Sequence, residues 1–206
     1  MLYGVVPPPF TIAMLNGALA GYGFERDWVP IEDISPNLVR AVIAAEDARF
    51  CEHGGFDWQS IQKAWERIRS GASRLKGGST ISMQTAKNVF LWPARSWTRK
   101  GFEAYFTVLI ELFWSKRRIM EVYLNVVELG KGVYGAEAAA QAFFHKPAAE
   151  LTRHEAALLA AVLPNPRKWS AANPGSYVAH RAAALQSRLL DVPDAGARVC
   201  PEPGGG

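Results

Sequence analysis

A mainly α fold is what this sequence predicts, on three observations. Apolar residues recur at helical spacing through most of the chain. The breaks between those stretches carry capping or helix-stopping residues. No segment alternates apolar and polar residues convincingly enough to be read as a strand. Size agrees: 206 residues, 49% of them apolar and 20% charged, suffice for one compact domain with a real core, or a domain with a small lobe.

The elements follow in order. Before the first charge, Glu25, the prolines 7 to 9 leave an apolar run from Phe10 to Phe24. That run is shorter than the roughly 20 residues a spanning helix needs, and no basic region precedes it as in a signal peptide. It reads either as a buried terminal helix or as a juxtamembrane segment ending a truncated anchor. Ser35-Pro36 opens a helix expected to run to about Cys51, with Ser as N-cap and Pro at the first helical position. Further helices are expected at Trp58 to Ser70, Thr80 to Leu91, Thr98 to Ser115 and 116 to 127. The stretch 71 to 78, "GASRLKGG", reads as a flexible basic loop, and Trp92-Pro93 as a stop. Ala-rich helices are expected at 135 to 144 and 153 to 163, and a last one at Tyr177 to Leu190. Residues 191 to 206, ending "CPEPGGG", read as a flexible tail.

The net charge of +4 suits an anionic partner. No zinc-finger spacing, RNP-type pattern or long basic run supports nucleic acid, and phosphate-bearing lipid satisfies the same charge. Cys51 and Cys200 form no CxxC pair. They are read as two unpaired thiols, with a bridge open only in an oxidising compartment.

Candidate chemistry starts in "AVIAAEDARFCEHGGFDW", 41 to 58. On a helix, Val39, Val42, Ile43 and Phe50 share a face with Glu46, which places a carboxylate in an apolar stripe. Desolvation there raises its pKa and suits proton transfer near neutral pH. The plainer reading is an edge carboxylate paired with Arg40 or Arg49. Asp47 meets a different environment, and His53, before Gly54-Gly55, fixes the turn; it has no partners at metal-ligand spacing.

In "KGGSTISMQTAKN", 76 to 88, two glycines precede a helix start, a natural anion site but not a Walker loop. Thr80, Gln84 and Lys87 form a polar stripe that is otherwise an ordinary solvated face. In "TRKGFEAY", Arg99 and Lys100 lie one turn before Glu103. Surface pairing is the default meaning of such spacing. Together, though, two carboxylates, Glu46 and Glu103, accompany the cations Lys87, Arg99 and Lys100. Paired carboxylates suit glycosyl chemistry, and nearby cations suit a phosphate leaving group. The combination points to glycosyl transfer from a sugar phosphate.

These blocks, with "KRRIMEVYLNVVELGKGVYGAEAAAQAFFHK" and "LTRHEAALLAAVLPNPRKWSAANP", resemble the peptidoglycan glycosyltransferases, in order, over roughly Val29 to His180. No penicillin-binding domain follows, as in the monofunctional form. The resemblance implies a lysozyme-like large lobe with a smaller membrane-facing lobe, and assigns 25 to 190 to the transferase domain. It implies action on lipid II and the growing lipid-linked glycan, at the periplasmic side of the inner membrane, with 1 to 24 as the end of an anchor. Other cell-wall synthesis proteins are implied as partners. Carried over, Glu46 is the general base and Glu103 the second carboxylate. Lys87, Arg99 and Lys100 match donor-side cations, with Ser79, Thr80, Gln84 and Asn88 in the same substrate-binding block. Asp47, Phe50 and His53 match residues shaping the acceptor side, and Tyr123, Asn125 and Glu128 match support for the cleft. No cofactor is required, although a divalent cation (Mg or Mn) could screen the donor pyrophosphate; no dedicated ligand set is evident. The sequence departs from the family pattern at Met83, where many relatives carry a second Gln, and at Cys51, a position often aromatic. Two rivals remain: a lysozyme-like glycan-cleaving enzyme, and a non-catalytic membrane-associated scaffold.

Overall fold

The computed structural model describes residues 2–69, 78–93, 96–188 and 199–200. Its helices are α1 (Ile12–Leu19), α2 (Pro36–Glu46), α3 (Trp58–Arg69), α4 (Ile81–Phe90), α5 (Trp97–Phe113), α6 (Lys116–Val126), α7 (Ala136–Phe144), α8 (Arg153–Val162) and α9 (Ser176–Arg188). The expected basic loop lies almost entirely outside the described residues, as does the tail apart from Val199 and Cys200.

Side-chain oxygens at the N-caps set most of the helix starts. Thr11, Ser35, Thr80, Ser96, Ser115 and Thr152 each accept a bond from a backbone N–H of the first turn. At Thr152 the bond is reciprocal, because Glu155 accepts from the Thr152 N–H to complete a capping box.

The Ala-rich α8 is the axis of the fold. Every residue from Ala156 to Val162 is buried, and the helix packs on α2 and α9. Small side chains let three helices approach closely here while the leucines fill the space between them. A second group forms around α4, which packs on α5 and α6. The cleft described below lies where α2 and α9 of the first group meet α4 of the second.

Three features correct the sequence reading. A small sheet exists, with strands β1 (Glu25–Arg26), β2 (Glu128–Gly130) and β3 (Val133–Tyr134) in the order β1-β3-β2. β1 runs parallel to β3 and β2 antiparallel to it. Strands of two or three residues are too short to show a period-two pattern. Helix α2 stops at Glu46, not near Cys51, because Asp47 leaves helical geometry at φ −159°, ψ 73° and turns its carboxylate to other elements. Finally, Cys51 and Cys200 are joined in a disulfide, with their Cα atoms 5.5 Å apart. The expectation of two free thiols fails because only the folded chain brings positions 149 residues apart together.

The apolar N-terminal run is partly buried. Within α1, Met14 and Gly17 are buried, whereas Ile12, Leu15 and Leu19 are exposed. The segment before α1 is tied down by backbone acceptors. Arg26 Nη1 donates to Pro8 O and Pro9 O at 2.7 and 2.9 Å, and Arg118 donates twice to Tyr3 O at 3.1 and 3.0 Å. Both guanidinium groups also stack on Trp28, 5.0 and 5.3 Å from its ring centre. No helix among the described residues is long and apolar enough to cross a membrane.

Candidate active site

Glu46 is the last residue of α2, so its side chain emerges where the helix ends. Gln84 of α4 donates Nε2–H to Glu46 Oε2 at 2.9 Å, and Tyr123 of α6 donates its hydroxyl to Gln84 Oε1 at 3.3 Å. The two bonds set the orientation of the Gln84 amide. Burial pushes the Tyr123 phenol well above its ordinary pKa, so it remains a donor. Burial also raises the pKa of Glu46; the bond from Gln84 and the charges of Arg181 and Lys87 act against that rise, and Asp47 adds to it. Arg181 of α9 brings Nη2 to 3.7 Å from Glu46 Oε1. Nothing in the local sequence around Arg181 marks it, because α9 reaches Glu46 only through its packing on α8 and α2.

Asp47, one residue on, has a different task. Its Oδ2 accepts from Ile81 N at 2.9 Å, at the first residue of α4, and its Oδ1 accepts from His53 Nε2 at 2.9 Å. Gly55 N donates to His53 Nδ1 at 3.2 Å, which puts the ring proton on Nε2 facing the carboxylate. The turn is closed by Thr80 Oγ1–H donating to Gly55 O at 2.6 Å and by Lys116 Nζ donating to His53 O at 2.6 Å. Gly55 has φ +92°, and a Cβ there would lie 2.8 Å from Thr107 Cγ2 and 3.0 Å from the Glu111 chain. Only glycine fits that backbone and that gap. Phe50 is fully buried beneath Lys116, whose Nζ stands 4.6 Å from the ring centre. Asp47, Phe50 and His53 therefore hold the end of α2 against the start of α4.

Glu103, on α5, is 3% exposed. One of its oxygens accepts from Arg99 Nη1 at 3.0 Å and the other accepts from Lys100 Nζ. Lys87 of α4 completes the charged set. Burial lowers its pKa most; Glu103 and Glu46 raise it, and Arg99 and Lys100 lower it. Lys87 thus responds to both carboxylates. Its neighbours Asn88, Leu91, Trp92, Pro93 and Arg99 line a cavity of about 610 Å³ that is completed by Ala13, Glu128 and Arg167. Arg99 Nε is buried with no hydrogen-bond partner among the described residues. Ser79 is exposed just ahead of the Thr80 cap. Met83, the departure from the family pattern, is buried at 5% exposure.

The structure thus gathers Glu46, Gln84, Lys87, Asn88, Arg99, Lys100 and Glu103 along α2, α4 and α5, and adds Arg181 and Arg167. A carboxylate in a desolvated, hydrogen-bonded setting beside a polybasic cleft is an arrangement that suits group transfer from an anionic donor. Residues 15–190 match the Transglycosylase family, and the chain belongs to it. It is 59% identical over 181 residues to the biosynthetic peptidoglycan transglycosylase of Caulobacter vibrioides, covering 88% of this chain and 79% of that one. Identity to the protein of that name from Rhodospirillum centenum is 54% over 199 residues, covering 96% and 86%. For the Escherichia coli protein of that name it is 53% over 198 residues, covering 93% and 82%. The enzyme is a peptidoglycan glycosyltransferase, and its activity implies action outside the cytoplasm.

Proposed function

We propose that the enzyme polymerises lipid II, with Glu46 as general base and the Lys87–Arg99–Lys100 cluster receiving the donor pyrophosphate. Glu46 takes the proton from the acceptor sugar's 4-hydroxyl as its oxygen attacks the donor's anomeric carbon. The bond from that carbon to the pyrophosphate oxygen breaks, giving a β-1,4 linkage with inversion, and the electron pair leaves on undecaprenyl pyrophosphate. One observation carries this reading: the buried, unpartnered Arg99 Nε and the Lys87 ammonium border a cavity, and Lys87 interacts in turn with Glu46, a carboxylate whose pKa burial raises. A hydrolase has no need for cations at its leaving group, and a scaffold has no need for a desolvated carboxylate.

Glu103 acts through Arg99 and Lys100, orienting them and limiting their repulsion. Among the described residues no group of three or more His, Cys, Asp or Glu side chains could hold a metal ion. A divalent cation such as Mg or Mn, if bound with the donor, would screen the charge of its pyrophosphate. Membrane association is part of the same proposal. Exposed Leu15 and Leu19 of α1 and Trp97, Leu112 and Phe113 of α5 give a lipid surface something to bind, at the inner membrane's periplasmic side.

The test is polymerisation of lipid II in detergent by the wild type and by Glu46→Gln. Removing the base should cut turnover by about 10²–10⁴-fold, with glycan ladders from the wild type only. Equal ladders from both would remove Glu46 from the base role.

A further inference from the structure

Arg167 lies outside the residues that the reaction above uses, yet it borders the same cavity as Lys87, Asn88 and Arg99. It follows the Pro164-Asn165-Pro166 break after α8, so it reaches the cleft from a different element than α4 and α5. Its Nε donates to both carboxylate oxygens of Glu128, at 2.8 and 3.0 Å. This contact comes from the first residue of β2. The guanidinium carbon also stands 5.6 Å from the centre of the Tyr22 ring, whose other cationic neighbour is Lys131 at 4.3 Å.

An ion pair that only braces the surface would be satisfied by Glu128 alone. Here the pair uses Nε, and the side chain remains 48% exposed at the cavity. Among the residues lining that cavity Glu128 is the one carboxylate, and Arg167 already occupies it. The lining therefore carries the cations Lys87, Arg99 and Arg167, of which Arg167 is paired with Glu128 and Arg99 with Glu103 outside the lining, a predominance of positive charge suited to an anionic ligand. A cavity of about 610 Å³ accommodates a pyrophosphate together with an adjoining sugar.

We infer that Arg167 is a further donor-binding residue, held through its Nε by Glu128 so that its terminal nitrogens engage the pyrophosphate of a lipid-linked donor. The inference rests on the transferase reading, and its test separates the two. Binding of a polyprenyl pyrophosphate and of the matching uncharged polyprenol is measured in detergent for wild type, Arg167→Ala and Arg167→Lys, alongside melting temperatures. Loss of one charge-assisted contact predicts about tenfold weaker pyrophosphate binding by Arg167→Ala. Polyprenol binding and melting temperature should be unchanged, and Arg167→Lys should recover part of the loss. In polymerisation assays the same variant should raise KM with little change in kcat. Equal pyrophosphate affinity in wild type and Arg167→Ala would overturn the assignment. So would parallel loss of both ligands with a lower melting temperature, which would make Arg167 a brace. A wild type that binds the pyrophosphate through Arg167 yet polymerises no lipid II would overturn the lipid II polymerisation proposed above and leave the binding role standing.

Discussion

Glu46 and Asp47 are adjacent carboxylates that the fold uses in opposite ways. Asp47 accepts from a backbone N–H and from His53, so its charge is compensated on both oxygens. Glu46 has one bond from Gln84 and a distant guanidinium, and burial dominates its titration. Because its folded pKa lies above the ordinary carboxylate value, the folded state prefers the protonated form. The ionised group therefore costs stability at neutral and alkaline pH, and that cost fades as pH falls through its folded pKa. Glu46→Gln is expected to melt higher than wild type at pH 8, with the difference shrinking as pH falls through the folded pKa of Glu46. Thermal melts across that range check it. Arg181 favours the ionised form of Glu46, so Arg181→Met should raise the carboxyl's pKa further. The acid limb of the pH–rate profile then moves to higher pH, and the loss of rate is larger at pH 6 than at pH 8. An unmoved limb would show that Arg181 does not act on the base.

At the scale of elements, the site depends on how α2 ends and α4 begins. Asp47 joins the two ends, and the His53–Gly55 turn is bonded to the Thr80 cap and to Lys116. The Cys51–Cys200 bridge fixes the outer side of this turn to a segment in which Val199 is buried. Closing a loop of this length restricts the unfolded chain, with typical stabilisation of about 2–4 kcal/mol. The double variant Cys51→Ser/Cys200→Ser should lose about that much in denaturant unfolding. Dithiothreitol should destabilise the wild type and leave the double variant unaffected. A disulfide also agrees with action outside the cytoplasm, where thiols are not kept reduced.

Across the whole molecule, charge and apolar surface are sorted by side. On α5, Arg99, Glu103 and Ile110 face inward, while Trp97, Tyr105, Val108 and Leu112 fall within roughly a quarter turn of one another at about 100° per residue. Trp97 is 92% exposed and Leu112 is 70% exposed. A water-facing stripe of this kind suits burial in a lipid interface. Replacing Trp97, Val108 and Leu112 by Ser, Thr and Gln should cut co-sedimentation with anionic vesicles several-fold and leave the melting temperature within about 2 °C. Unchanged sedimentation would place the membrane contact elsewhere.

What the sequence determined by itself was local. Helical periodicity and the Ser35 cap gave the helices, because those signals act within a turn or two of chain. The i, i+3 and i, i+4 spacings of Lys100 and Arg99 to Glu103 likewise place the cations beside that acid before any fold is known. The tertiary structure decided the rest. Asp47 ends α2 because α4 offers it an N–H, the strands exist because β3 has two partners to pair with, and Cys51 finds Cys200 only in the folded chain. Arg181 and Arg167 reach the cleft from late elements; Arg167 lies in a block that carries the resemblance, but no local spacing ties either arginine to the carboxylates and cations of α2, α4 and α5. Those outcomes rest on contacts between residues far apart in the chain, and a contact of that kind leaves no periodicity in a single sequence.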